Sequence, residues 1–92
     1  MPGPKAIRKF AFTDHALFEM ARRGISEDQV AAVLAKPEQF ESVRQGRMVY
    51  QSKIGYGEPS EEYILRVFVD TDRNPPQVVT AYRTSKIEKY WR

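Results

Sequence analysis

Between Thr13 and Pro37 the apolar positions recur at three- and four-residue spacing; after Pro37 they alternate. The first pattern predicts helices and the second predicts strands. "KFAFT" has room for one short strand before the helical region. Thr13 or Asp14 then caps a helix over "HALFEMARR", with Leu17, Met20 and Ala21 expected toward the core. Gly24 is placed to end it in a left-handed conformation. Ser26 and Gln29 have the spacing of a capping box for a second helix, whose apolar face is Val30, Val33 and Leu34. Pro37 closes that helix, because the residue before a proline is biased away from helical geometry.

The remainder reads as strands. "QFESV" is a short one, and "RQGR" turns into "RMVYQSKIG", where Met48, Tyr50, Ser52 and Ile54 alternate with Arg47, Val49, Gln51 and Lys53. "YILRVFVD" is apolar on both faces except at Arg66, and "QVVTAYRT" is the last strand, with Val79, Ala81 and Arg83 on one face. Short connections favour antiparallel neighbours. Each helix has one apolar side, so both must cover the same sheet. The expected fold is α+β: two N-terminal helices packed on an antiparallel sheet of three to five strands, with residues 1–92 forming a single domain.

Composition narrows the setting. There is no Cys, so neither a disulfide framework nor a thiol nucleophile exists. No run approaches the roughly 20 apolar residues of a membrane span, and the N-terminus lacks a leader-like apolar stretch, so a cytoplasmic protein without a membrane partner is expected. Lys and Arg number 15 against 12 Asp and Glu, a net charge of +3. The distribution is more telling. From Arg83 onward there are four cations and one carboxylate, an excess equal to that of the whole chain. The same stretch carries the only Trp. A concentrated basic patch suits a polyanion; from the charge alone, a solvated basic tail is the favoured reading. The aromatics Tyr90 and Trp91 argue that this tail docks on the core rather than frays.

Several residues are candidates for chemistry. His15 is the sole histidine and lies in the first turn of the first helix, where the helix dipole favours the neutral ring. Arg66 is a cation within an apolar strand, either paired or at an open face. "RTSK" sets Thr84 and Ser85 between Arg83 and Lys86, a composition suited to phosphate oxygens. Tyr82 and Tyr90 offer rings on which bases stack. One His and no Cys make a poor zinc set, so neither metal nor cofactor is expected. No GxGxxG, P-loop, GxSxG or HExxH motif occurs.

"FTDHALFEMARRGISEDQVAAVLAKPE" and "VVTAYRTSKIEKYW" resemble the opening and closing motifs of the small bacterial family catalogued as domain of unknown function 4258, DUF4258. The strands "GRMVYQSKI" and "ILRVFVD" between them also fit. His15, Ala16, Met20, Arg23, Gly24 and Ile25 match the helix pattern, while Glu19 stands where that pattern has Arg. The family's order of elements is similar to that of RelE-type toxin ribonucleases, a RelE/barnase-like nuclease fold. The resemblance therefore implies a toxin-like, metal-independent endoribonuclease that works by 2′-hydroxyl attack on the phosphodiester. RNA and a small antitoxin-like protein are the partners it implies. In that chemistry His15 is base or acid, Arg83 and Lys86 clamp the phosphate, and Arg23 or Arg66 is a second cation, with Tyr82, Thr84, Ser85 and Tyr90 along the RNA. A non-catalytic nucleic-acid-binding or protein-interaction module fits the same residues. Glu19 at i+4 from His15 can hold the ring charged, which favours an acid role or a structural one.

Overall fold

A computed structural model of the chain describes residues 6–92. The expectation about a leader touches Met1–Lys5, which lie outside the described residues. The elements run β1 (Ala11–Phe12), α1 (Asp14–Arg23), α2 (Glu27–Ala35), β2 (Gln39–Arg44), β3 (Arg47–Tyr56), β4 (Glu61–Asp70), β5 (Gln77–Thr84) and α3 (Ile87–Tyr90). The fold is α+β, with the two N-terminal helices on one face of a five-stranded sheet of order β1-β5-β4-β3-β2.

The sheet is mixed, not wholly antiparallel: β1 runs parallel to β5. The chain leaves β1 into two helices and three further strands before it returns beside it, so no hairpin dictates the direction of that pair. The other neighbours are antiparallel.

The helix ends form as their sequence directs. The Thr13 side chain accepts from the Ala16 N–H at 3.0 Å. Ser26 and Gln29 bond reciprocally in the capping box. Gly24 ends α1 at φ 67°, and its N–H bonds back to the last turn. The buried face of α1 differs from expectation. Ala16 and Met20 are buried, whereas Leu17 is 39% exposed and Ala21 is exposed. Ala16 and Met20 lie one turn apart, and the small Ala16 side chain lets the helix approach β5 closely.

The core lies between the helices and the sheet. It joins Val30, Val33 and Leu34 of α2 to Tyr50, Leu65, Val67, Val69, Val78 and Ala81. Each fully buried Val or Leu contributes about 1.5–3 kcal/mol of transfer free energy. In β5 the pairing passes from Val69↔Val78 to Phe68↔Thr80, so Val79 is an extra, bulged residue. The bulge exchanges the expected face-mates: Val78, not Val79, shares the core with Ala81. It also places Arg83 toward the helices and Tyr82 away from them.

The opposite face of the sheet is covered as well. Val49 and Ile64 point away from the helices, yet they are 1% and 0% exposed. The C-terminal segment crosses this face through hydrogen bonds from Gln51 to the Tyr90 carbonyl and from Gln39 to the Arg92 carbonyl. The tail is docked, as its aromatics imply, and it adds a short helix, α3, not expected from the sequence.

Candidate functional site

Two groups of the expected residues meet around Tyr82, one at the edge of β5 and one under the tail.

The edge group begins at the last turn of α1. β1 covers only Gln77 and Val78 of β5, which leaves later carbonyls of that edge without a strand partner. Arg23 reaches across, donating from Nη1 to the Ala81 carbonyl at 2.9 Å and to Thr80 Oγ1 at 3.3 Å. Its Nη2 also holds Glu19 at 2.7 Å. Arg83 returns the contact from β5: its Nη2 donates to the Arg23 carbonyl at 2.6 Å, and its Cζ lies 3.6 Å from the centroid of the Tyr56 ring. A cation suits the negative end of the helix dipole, and a guanidinium suits an aromatic face. Tyr63 packs edge-on against Tyr56. Arg23, Tyr63, Tyr82 and Arg83 line a shallow depression of about 310 Å³. Among the described residues no carboxylate pairs with Arg83, so its charge is offset only by carbonyl dipoles and a ring.

The tail-face group centres on Arg66. Strand register places Arg66 between Gln51 of β3 and Tyr82 of β5. Arg66 is 7% exposed, so it is a buried cation on a central strand and needs partners. Its Nε donates to Gln51 Oε1 at 2.9 Å and its Nη1 to the Tyr82 hydroxyl at 2.7 Å. Glu41 stands 3.8 Å from Nη2, and the Tyr90 ring lies over the guanidinium at 4.2 Å. Of the two readings open for this arginine, the paired one holds. Burial pushes the Tyr82 phenol above its usual range, so it stays protonated at neutral pH.

His15, Lys86 and the hydroxyls of "RTSK" fall elsewhere. His15 is exposed on the first turn of α1, whereas Arg83 grips the last turn. The eight residue steps from His15 to Arg23 rise about 12 Å along the helix. A single phosphate is therefore not shared by His15 and Arg83. Strand alternation also divides "RTSK": Arg83 faces the helices, while Thr84, one residue on, faces the tail side. Thr84 Oγ1 accepts from the Lys86 N–H at 3.1 Å, a local turn. Ser85 and Lys86 line a separate depression with Ile87, Glu88 and Lys89.

Glu19, the departure from the family's helix pattern, bonds Arg22 and pairs with Arg23. The Arg22 hydrogen bond holds its carboxyl below the usual range, and the charges of Arg22 and Arg23 add to this. His15, Glu19 and Arg23 thus form one row along α1 at successive turns.

Sequence reading missed Gln39, Glu41, Gln51, Tyr56 and Tyr63. The glutamines and Glu41 read as the solvated side of alternating strands. Only the register, with Gln39 opposite Gln51 and Gln51 opposite Arg66, reveals a network.

The molecule is thus a small α+β protein with a cationic, tyrosine-lined sheet edge and a tail-covered buried arginine. The profile of the family described as Domain of unknown function (DUF4258) matches residues 12–83, and the chain belongs to that family. No protein of curated function and no solved structure matches it. Among the described residues no helix is long and apolar enough to cross a membrane.

Proposed function

We propose that this protein binds single-stranded RNA along the edge of β5, with Arg83 and Arg23 on the sugar–phosphate backbone and Tyr63 and Tyr82 beside the bases. The observation that supports it most is Arg83: a half-buried guanidinium with no carboxylate partner among the described residues, stacked on Tyr56 beside an open depression with three further cationic or aromatic side chains. Guanidinium on phosphate and base on aromatic ring are the two recurring contacts of single-strand recognition. The test is fluorescence anisotropy with a short labelled RNA at about 50 mM and about 200 mM salt. Two phosphate contacts predict a log–log salt slope of about −1.4. Arg83→Lys keeps the charge but loses the bidentate fork, and it is expected to weaken binding about tenfold. Binding that ignores both salt and Arg83→Lys would sink the reading.

A toxin-like endoribonuclease is the second reading, and the row His15–Glu19–Arg23 favours it. In this reading the Glu19 carboxylate takes the proton of the ribose 2′-hydroxyl as that oxygen attacks phosphorus. His15, one turn from Glu19, gives a proton to the departing 5′-oxygen, while Arg23, two turns from His15, holds the Glu19 carboxylate in place. The products are a 2′,3′-cyclic phosphate and a 5′-hydroxyl. A small acidic protein of antitoxin type would be the partner that covers the basic surface. Induced expression of the wild type, His15→Ala and Glu19→Gln tests this. Growth arrest with RNA fragments in the wild type, relieved in both variants, is expected. RNA binding without any cleavage leaves the binding module alone.

A further inference from the structure

We infer that the sheet face under the C-terminal segment is a binding site for a uracil base of single-stranded RNA, and that residues 87–92 occupy it as a displaceable strap; this rests on the RNA reading above. Arginine has only donors, so the bond from Arg66 Nε turns Gln51 Oε1 toward it. Gln51 Nε2 is then left to donate, to Gln39 Oε1 at 2.9 Å and to the Tyr90 carbonyl at 3.0 Å. The Gln39 amide is oriented in turn: its Oε1 accepts from the Arg92 N–H at 3.2 Å, and its Nε2 donates to the Arg92 carbonyl at 2.8 Å. One buried cation thereby fixes two amides, which offer two N–H donors around one acceptor.

The strap fills these positions with a carbonyl, an N–H and a second carbonyl. Acceptor, donor, acceptor is also the sequence of groups on the pairing edge of uracil: O2, N3–H and O4. Cytosine has an acceptor at N3 and a donor at N4, and so mismatches two of the three. The Tyr90 ring over Arg66 occupies the place of a stacked base, and a base there turns its edge toward the two glutamines.

The strap is built to leave. α3 has four residues, none of them fully buried, and its N-cap makes no side-chain hydrogen bond. It is held by the backbone bonds above, by the Tyr90 ring over Arg66 and edge-on to Tyr82, by the Arg92–Glu41 ion pair at 3.0 Å and by Lys53 over Trp91 at 4.5 Å. Such contacts open at low free-energy cost.

The test uses the full chain with labelled oligouridylate and oligocytidylate of equal length, read by anisotropy. Trp91, the only tryptophan, reports on the strap. Uridylate is expected to bind about tenfold tighter than cytidylate, the span of one base-edge contact. Uridylate should also shift Trp91 emission as the strap is displaced. Tyr90→Ala should tighten uridylate binding, by up to about tenfold for a strap shut nine-tenths of the time. Gln39→Ala, and Gln39→Glu as a second variant with the donor removed, should erase the uridylate preference with the fold intact by thermal melt. Equal affinity for the two oligomers, weakened by Arg83→Lys, would overturn the uracil site and leave the RNA reading standing. Uridylate binding with Trp91 emission unchanged would overturn it also. Failure to bind either oligomer would remove both.

Discussion

The two faces of the sheet are both covered, but by different means. On the helix face, Leu65, Val67 and Val69 of β4 meet α1 and α2 through apolar surface alone. On the tail face, Arg66 and Phe68 of the same strand lie among amides, phenols and the backbone of α3. Dispersion and dehydration hold the first face, and neither requires particular hydrogen-bond partners. The second face depends on orientation, since each polar atom needs a specific partner. The first face therefore carries the stability of the fold, while the second can exchange partners. Both proposed RNA contacts meet the second face through Tyr82.

Neighbouring residues of β4 give the sharpest way to break this contrast. Leu65→Ala leaves a cavity in the helix-side core, with an expected loss of about 2–5 kcal/mol in chemical denaturation. Arg66→Ala, one residue on, strips Gln51 and Tyr82 of a donor, with an expected loss of about 1–3 kcal/mol. Arg66→Met keeps the stem beneath the Tyr90 ring but strips the same two acceptors of their donor, so a loss of about 1–2 kcal/mol is expected. If Arg66→Met costs as much as Leu65→Ala, the tail face is a second core and not an exchangeable surface.

The helix face was legible because its signals are local. The caps at Thr13 and Ser26, the stop at Gly24 and the alternation of Met48, Tyr50 and Ile54 each lie within a few residues. Two local expectations failed for non-local reasons. Leu17 and Ala21 gave way to Ala16 because the approach of α1 to β5 sets the helix rotation, and Val79 gave way to Val78 at a bulge fixed by pairing with β4. The tail face depends on register throughout. Gln39 and Gln51 lie 12 residues apart and Gln51 and Arg66 lie 15 apart, so their contact appears only when three strands are aligned. The separation of His15 from Arg83 belongs to the same class: sequence supplies both residues, but the docking of α1 along β5 decides that they occupy opposite ends of a helix.

A smaller effect tests whether the tail face is polar along its whole length. Arg47 and Asp70 are register partners at its far end, joined at 2.6 Å and 3.1 Å. The Arg47 hydrogen bond holds the Asp70 carboxyl below its usual range, so the folded state binds the proton less readily than the unfolded chain. The resulting stabilisation is fully present above the unfolded carboxylate value of about 3.9 and is lost as pH falls through the depressed folded value. Asp70→Asn is therefore expected to lower stability by about 1 kcal/mol at neutral pH, roughly 4–8 °C in Tm for a domain of this size. The gap between the two proteins should close as pH falls through that depressed value, where the wild-type carboxylate is itself protonated. Thermal melts of both across that range decide the point. A gap that stays constant with pH would mean that Asp70 acts by shape and packing, so that the ionic character assigned to this end of the tail face would fall away.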